Sequence, residues 1–267
     1  MLPEQDARGT MESMSEGAKE PGEPPATGRR VAFFGGSFDP PHKGHLAIAH
    51  AARTALGLDS ILFAPVGAQP LKPNGLTASF EDRLAMTRLA IACEPEFAVS
   101  LADAPKPSGA PNYTLETLEA LRGELLPFGA LFCLMGADAF FGLRHWHRAA
   151  EIPFVANLIV ASRPAQRPGS RIAALRGVLP EGLSMSAQPK LDRPRTGVEV
   201  RHYVLQNQAG FSAPFYLLPG LHVDISASQV REQIRKLDRA ALGGRTAEDD
   251  LLPEPVSNYI RSHGLYR

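Results

Sequence analysis

Short apolar runs alternate with amphipathic segments along most of the chain. The runs, each of a length typical of a buried strand, are 31–34, 60–66, 97–101, 131–135, 155–161 and 215–218. Between them, apolar side chains recur every three or four residues, which is the spacing of one helix face. Strands alternating with helices predict a Rossmann-like α/β fold. We expect a doubly wound parallel sheet flanked by helices, with a small helical part at the C-terminal end.

Several predicted helices carry recognisable start and stop signals. The first, 46–56, stops at Gly57, and glycine closes helices readily. Ser79, followed three residues later by Asp82, is typical of a capped helix start. The last helix has proline near its beginning and finishes near Gly264, which fits the positional preferences of both residue types.

Two segments differ from the alternating pattern. Residues 1–29 are rich in Glu, Gly and Pro and poor in large apolar side chains, which predicts a disordered N-terminal tail. They lack the basic segment and apolar stretch of a signal peptide. We expect residues 30–267 to form a single domain, in which 166–213 is a solvated insertion because its apolar runs are weak.

The composition excludes several classes of partner. Lys plus Arg and Asp plus Glu are equal at 28 each, so no net field favours nucleic acid or membrane. Cys93 and Cys133 lack metal-ligand spacing and are expected to be reduced thiols in a cytoplasmic protein. The sequence leaves the oligomeric state open.

A glycine-rich turn between the first strand and the first helix carries the clearest chemical pattern. Residues 35–45 read Gly-Gly-Ser-Phe-Asp-Pro-Pro-His-Lys-Gly-His. A strand, turn and helix in this order aim backbone N–H groups and a helix N-terminus at phosphate. Gly35 and Gly36 allow close backbone approach and positive φ. His42 and His45, three residues apart, fall on one face of the first helical turn.

A second pattern opens a helix near the C-terminal end. Ser226 and Ser228 precede Arg231, and the planar guanidinium of arginine suits bidentate binding of phosphate. Taken alone, serines at a helix start also fit ordinary capping beside a solvated charge.

Both patterns resemble the signatures of the nucleotidyltransferases that carry His-x-Gly-His. The second is similar to the Ile-Ser-x-Ser/Thr-x-x-Arg signature of that superfamily. The resemblance implies catalysis by His42, His45 and Arg231. It implies an ATP site formed by Gly35, Gly36, Ser37, Phe38, His42, Lys43, His45, Gly136, Asp138, Ile225, Ser226, Ser228 and Arg231.

Further residues narrow the resemblance to bacterial nicotinate-nucleotide adenylyltransferases. They are the Tyr-Thr pair at 113–114, Gly-Ala-Asp at 136–138 followed by Trp146, Arg-Pro at 163–164, and the segment 250–267. That family transfers AMP from ATP, with Mg²⁺ carried by the ATP, to nicotinate mononucleotide. The products are nicotinate adenine dinucleotide and pyrophosphate. The resemblance implies a nicotinate-nucleotide site formed by Lys72, Tyr113, Thr114, Trp146 and Arg163.

Some alternatives stay open at this stage. Leu71 stands where the family usually has histidine. Asp138 also fits a helix cap, and Trp146 a core side chain. The acceptor could instead be nicotinamide mononucleotide or phosphopantetheine, and a nucleotide-binding regulator without catalysis would belong to another functional class.

Overall fold

The computed structural model describes residues 28–68, 75–125, 129–162, 170–191, 197–221, 225–240 and 251–267. Within them the strands are β1 (Arg29–Gly36), β2 (Ser60–Pro65), β3 (Phe97–Val99), β4 (Gly129–Gly136), β5 (Asn157–Ala161), β6 (Leu183–Met185), β7 (Lys190–Leu191), β8 (Arg201–Asn207) and β9 (Ser212–Leu218). The predicted tail covers residues 1–29. Residues 1–27 lie outside the described part of the chain, and Arg29 already belongs to β1.

The helices flank this sheet. They are α1 (Lys43–Leu56), α2 (Phe80–Ala90), α3 (Thr114–Leu125), α4 (Ala137–Gly142), α5 (Ile152–Val155), α6 (Ser170–Arg176), α7 (Ala227–Ala240) and α8 (Glu254–His263). Short 3₁₀ turns lie at Leu143–His145 and Ala149–Glu151. No described helix combines the length and apolar character that a membrane span requires.

The strands form one sheet in the order β3-β2-β1-β4-β5-β9-β8-β6, with β7 also paired to β8. The six strands from β3 to β9 pair in parallel, which confirms the predicted fold class. The chain winds outward from β1 to β3 and then returns to β4 beside β1. A crevice is expected where the winding reverses, beyond the carboxyl ends of β1 and β4.

Apolar packing covers both faces of the sheet. In β4, Phe132 and Leu134 belong to the core on one face, while Cys133 and Met135 belong to the core on the other. This explains why β4 is apolar at successive positions, as a parallel sheet covered on both sides requires. The core on the first face also contains Tyr266 from the segment that follows α8.

The expectation that 166–213 is solvated is wrong for β8, whereas most described residues between 170 and 191 are half-buried or exposed. β6 and β7 pair with β8, and β8 pairs with β9, all antiparallel. Tyr203 and Leu205 are buried there. β6 has no buried side chain and β8 has three in seven positions, so this antiparallel edge gives a weak apolar pattern, which explains the wrong interpretation. That the segment is an insertion stays a prediction.

The buried face of α2 also differs from its apolar pattern. The sequence predicts an apolar face formed by Phe80, Leu84 and Ile91. Ile91 is buried, but Phe80 and Leu84 are only half-buried, whereas Arg83 is buried. Nη1 of Arg83 donates a hydrogen bond to the carbonyl oxygen of Ser37 at 2.8 Å. The hydrogen bond of buried Arg83 therefore determines which side of α2 faces the loop after β1. The spacing of apolar residues alone does not reveal this contact.

Candidate active site

A cavity of about 600 Å³ opens beyond the carboxyl ends of β1 and β4. Of the site residues predicted from the sequence, it is lined by Gly35, Gly36, Ser37, Phe38, His42, His45, Tyr113, Thr114, Gly136, Asp138, Trp146, Ile225, Ser226, Ser228 and Arg231. Lys43 does not line this cavity and is exposed on α1. Lys72 and Arg163, together with Leu71, lie outside the described residues.

Gly35 and Gly36 do not have the positive φ that the sequence analysis allowed, and close approach of their backbone to a ligand stays a prediction. A Cβ on Gly35 would lie 2.7 Å from Cε1 of Phe33, and one on Gly36 would lie 3.2 Å from Cζ of Phe38. Aromatic rings beneath the loop therefore occupy the space that larger residues would need.

Phe38 holds the loop against the core. Its φ of 46° is in the left-handed region, where a non-glycine residue costs about 1–2 kcal/mol. Its ring is buried and packs edge-on against the rings of Phe34 and His45, with centroids 5.6 and 5.0 Å away. Burying an aromatic side chain offsets a cost of that size.

His42 and His45 form a stacked pair at the start of α1. Their ring centroids lie 3.7 Å apart, and the backbone N–H of His42 donates to Nδ1 of His45 at 3.1 Å. Nδ1 of His45 therefore carries no proton, so the ring proton lies on Nε2. Burial, and secondarily His42, lower the pKa of His45 well below its usual value. His45 is a neutral hydrogen-bond donor rather than a positive charge.

Acid is expected to destabilise the unliganded protein through His45. An unfolded histidine has a pKa of about 6.5, and the folded value is well below that. The unfolded state therefore takes up the proton first, and stability is lost as the pH falls below about 6.5. His45→Asn keeps an acceptor for the His42 N–H but does not titrate there. Its melting temperature should fall less than that of the parent between about pH 7 and pH 5.5; equal falls would contradict the lowered pKa.

Asp39 is a central residue of the loop that the sequence did not single out. Its buried carboxylate accepts hydrogen bonds from the backbone N–H groups of Thr77 (2.7 Å) and Ala78 (3.1 Å) and from the hydroxyl of Tyr266 (2.8 Å). Its position inside the 35–45 pattern was the only available signal, because these partners are distant in sequence.

The start of α7 brings the second pattern to the same cavity. The hydroxyl of Ser226 accepts from the backbone N–H of Gln229 at 3.2 Å, so this serine does act as a cap while it also lines the cavity. Arg231 donates from Nη1 to the backbone carbonyl of Asp39 at 2.6 Å and from Nη2 to the hydroxyl of Ser228 at 3.2 Å. The two sequence patterns are therefore joined by a direct contact.

The opposite side of the cavity is formed by α3 and the segment after α4. Tyr113 and Thr114 stand where α3 begins, and the first N–H groups of a helix have no intrahelical partner. Trp146 is half-buried and lines the cavity. The ring of His147, which sequence reasoning missed, lies 4.4 Å from that of Tyr113, centroid to centroid.

Besides Asp39, two aspartates line the cavity in different settings. Asp138 stands in the first turn of α4, where both a capping role and a ligand-binding role remain compatible with its position. Asp103 is buried and accepts a hydrogen bond from the hydroxyl of Thr117, and burial raises the pKa of its carboxyl. An acidic residue in a proline-containing loop gave no sequence signal for Asp103.

Comparison with known proteins places this site in a family. Residues 33–233 match the family model described as cytidylyltransferase-like. A relative from Gloeobacter violaceus, named "Probable nicotinate-nucleotide adenylyltransferase", is 36% identical over 90% of this chain and 97% of its own length. A relative from Trichlorobacter lovleyi with the same name is 34% identical over 89% of this chain and 99% of its own.

Solved structures show the same fold at lower sequence identity. Nicotinic acid mononucleotide adenylyltransferase from Plasmodium falciparum, complexed with NaAD, matches with a TM-score of 0.59 at 16% identity. The match covers 89% of this chain and 97% of that one. The same enzyme complexed with APC matches with a TM-score of 0.58 at 15% identity over the same shares. From the matches to its sequence relatives, the chain belongs to the nicotinate-nucleotide adenylyltransferase family.

Proposed function

We propose that the chain transfers AMP from ATP to nicotinate mononucleotide, giving nicotinate adenine dinucleotide and pyrophosphate in NAD biosynthesis. The observation that carries the proposal is that one cavity is lined by residues of both predicted sites, the ATP site and the nicotinate-nucleotide site. His42, His45 and Arg231 line it on the side of β1, and Thr114 and Trp146 line it on the side of α3. The names of the sequence relatives support the same reaction.

The reaction needs no nucleophile from the protein. An oxygen of the acceptor's phosphate attacks the α-phosphorus of ATP and forms a new P–O bond. The bond from that phosphorus to the oxygen bridging the β-phosphate breaks, and pyrophosphate leaves with the electron pair. The protein must hold two anions in line and stabilise the charge that develops on the phosphate oxygens.

We assign that stabilisation to three kinds of donor. The N-terminus of α1 supplies backbone N–H groups and the positive end of the helix dipole. Arg231 supplies charged N–H groups suited to the triphosphate. His45 supplies its Nε2–H, a donor that is already in place before charge develops.

Mg²⁺ enters with ATP as part of the substrate in this proposal. Among the described ranges, no three His, Cys, Asp or Glu side chains come together in a way that could hold a metal. Mg²⁺ is usually bound through one or two carboxylates together with substrate phosphates, which is the arrangement that we propose here.

We place the reaction in the cytoplasm as part of the proposal. Cys93 and Cys133 are both free thiols, as is usual in a reducing compartment. Fractionation of cells would test this, and recovery of the protein outside the cytoplasmic fraction would contradict it.

Pyrophosphate release from Mg·ATP tests the function directly. The acceptors to compare are nicotinate mononucleotide, nicotinamide mononucleotide and phosphopantetheine. We expect turnover to be fastest with nicotinate mononucleotide. Preference for either of the other acceptors would overturn the substrate assignment, and ATP binding without turnover of any acceptor would favour a regulator.

Trp146→Ala is expected to weaken binding of the acceptor far more than binding of ATP. Stacking of a base on an aromatic ring is worth about 1–3 kcal/mol, and we expect the pyridine ring to be the base that stacks on Trp146. The measurement is KM for each substrate. Phe211→Ala, which removes an exposed ring from the β8–β9 turn, is the control. A loss of fold in Trp146→Ala, seen by circular dichroism, would instead assign this side chain to the core.

A further inference from the structure

The segment that follows α8 folds back against the loop after β1. α8 ends at Gly264, whose φ of 62° reverses the chain. Tyr266, with a φ of 67°, is buried in the core on the same face as α1. Its hydroxyl donates to Oδ1 of Asp39 at 2.8 Å, across 227 residues of sequence. A residue near the C-terminal end thus makes direct contact with the loop that forms the active site.

Tyr266 is one of three donors that satisfy the Asp39 carboxylate. The others are the backbone N–H groups of Thr77, which donates to Oδ2, and Ala78, which donates to Oδ1. None of these three donors lines the cavity. Burial and the nearby Asp39 raise the pKa of Tyr266 above its usual range, so its hydroxyl remains a donor at every pH where the enzyme would be assayed.

Arg231 meets Asp39 through the backbone rather than through the carboxylate. Nη1 of Arg231 lies 2.6 Å from the carbonyl oxygen of Asp39 but 3.9 Å from Oδ2. The second distance is too long for a hydrogen bond. Nη2 donates to the hydroxyl of Ser228, and 21% of the Arg231 side-chain surface remains accessible to solvent. The guanidinium is therefore held in place without being fully neutralised by the carboxylate beside it.

We propose that Tyr266 is a positioning residue that keeps Arg231 available for the triphosphate of ATP by satisfying the carboxylate of Asp39. This rests on the proposed function, in which Arg231 binds ATP. Without the hydroxyl, Oδ1 keeps only the backbone N–H of Ala78 as a donor among the described residues, and the loss of a hydrogen bond to a buried charged group is costly. Nη1 of Arg231 lies 3.9 Å from Oδ2 of Asp39, so a small movement would bring it within hydrogen-bonding distance of the carboxylate. An Arg231 drawn into a full ion pair with Asp39 would compete with ATP.

Tyr266→Phe removes the hydroxyl and keeps the ring that packs in the core. We expect KM for ATP to rise about tenfold or more, as for the loss of one hydrogen bond to a charged group. The turnover number should fall as well, because Arg231 is also assigned to the developing charge, whereas KM for nicotinate mononucleotide should stay within about twofold of the parent. Tyr259→Phe is the matched control: it loses a similar hydroxyl bond, to Oδ1 of Asp82 at 3.0 Å, and Tyr259 does not line the cavity. It should leave all three constants unchanged.

A double variant separates this role from a merely structural one. If Tyr266 acts through Arg231, then adding Tyr266→Phe to Arg231→Ala should lower kcat/KM for ATP no further. If Tyr266 only stabilises the fold, the two losses should multiply, which would overturn the proposal. Should Tyr266→Phe melt too easily for steady-state assays, its ATP affinity is measured by calorimetry in the cold, where the same rise in Kd is expected.

The outcomes also separate this inference from the proposed function. A parent protein that releases no pyrophosphate with any acceptor would refute the function. An active parent with an unchanged KM for ATP in Tyr266→Phe would refute the positioning role alone.

Discussion

Replacing His45 by alanine is expected to lower kcat about a hundredfold or more while KM for ATP changes little. The Nδ1 of His45 is occupied by the His42 N–H, so Nε2–H is fixed as the donor towards the cavity. A donor held in place in advance stabilises mainly the charge that develops in the transition state, and its loss therefore appears in kcat.

The control for this variant lies on the same helix. His50 of α1 is exposed, pairs with Glu94 through Nε2 at 3.1 Å, and does not line the cavity. His50→Ala should retain the parent's kcat. A kcat for His45→Ala within a few-fold of the parent would show that its Nε2–H does not act on the reacting phosphate.

Nicotinate mononucleotide is expected to be preferred over nicotinamide mononucleotide by about a hundredfold or more in kcat/KM. The reason is the start of α3, where Thr114 lines the cavity and the helix offers N–H groups and a positive dipole end. A carboxylate accepts hydrogen bonds at both oxygens, whereas an amide turns an NH₂ donor towards one of those N–H groups.

The expected size of the preference follows from two losses. A buried unpaired donor costs about 1–3 kcal/mol, and losing a charge-assisted bond adds a similar amount. At about 1.4 kcal/mol per factor of ten, together they exceed a hundredfold. Because the backbone makes the distinction, Thr114→Ala should reduce it only modestly. If kcat/KM were nearly the same for both acceptors with the unmodified protein, the start of α3 would not distinguish the carboxylate from the amide.

The sequence predicts the parallel half of the fold well because its inner strands are covered on both sides, whereas the edge strand β3 is partly exposed. In β4 this coverage produces an unbroken apolar run, and the alternation with helices then determines where the carboxyl ends lie. The two sequence patterns were predicted to share a site, and Arg231 does contact Asp39. The order of short sequence patterns along the chain was enough to predict these features.

Other features depend on contacts that no local pattern encodes. Arg83 is buried in α2 because it bonds to Ser37, 46 residues away, and helix periodicity treats such a residue as exposed. β8 is covered less completely than the parallel strands, so its pattern is weak. The lowered pKa of His45 follows from burial and from its stack with His42, which spacing alone does not reveal.

The distance in sequence between Asp39 and its partners has a consequence for protein synthesis. Arg231 and Tyr266 follow Asp39 by 192 and 227 residues. At about 5–20 residues per second, a ribosome adds Tyr266 roughly 10–45 s after Asp39. During that interval the nascent chain carries the loop after β1 without the residues that complete its surroundings. A chain released before residue 231 therefore lacks the arginine that we assign to the triphosphate.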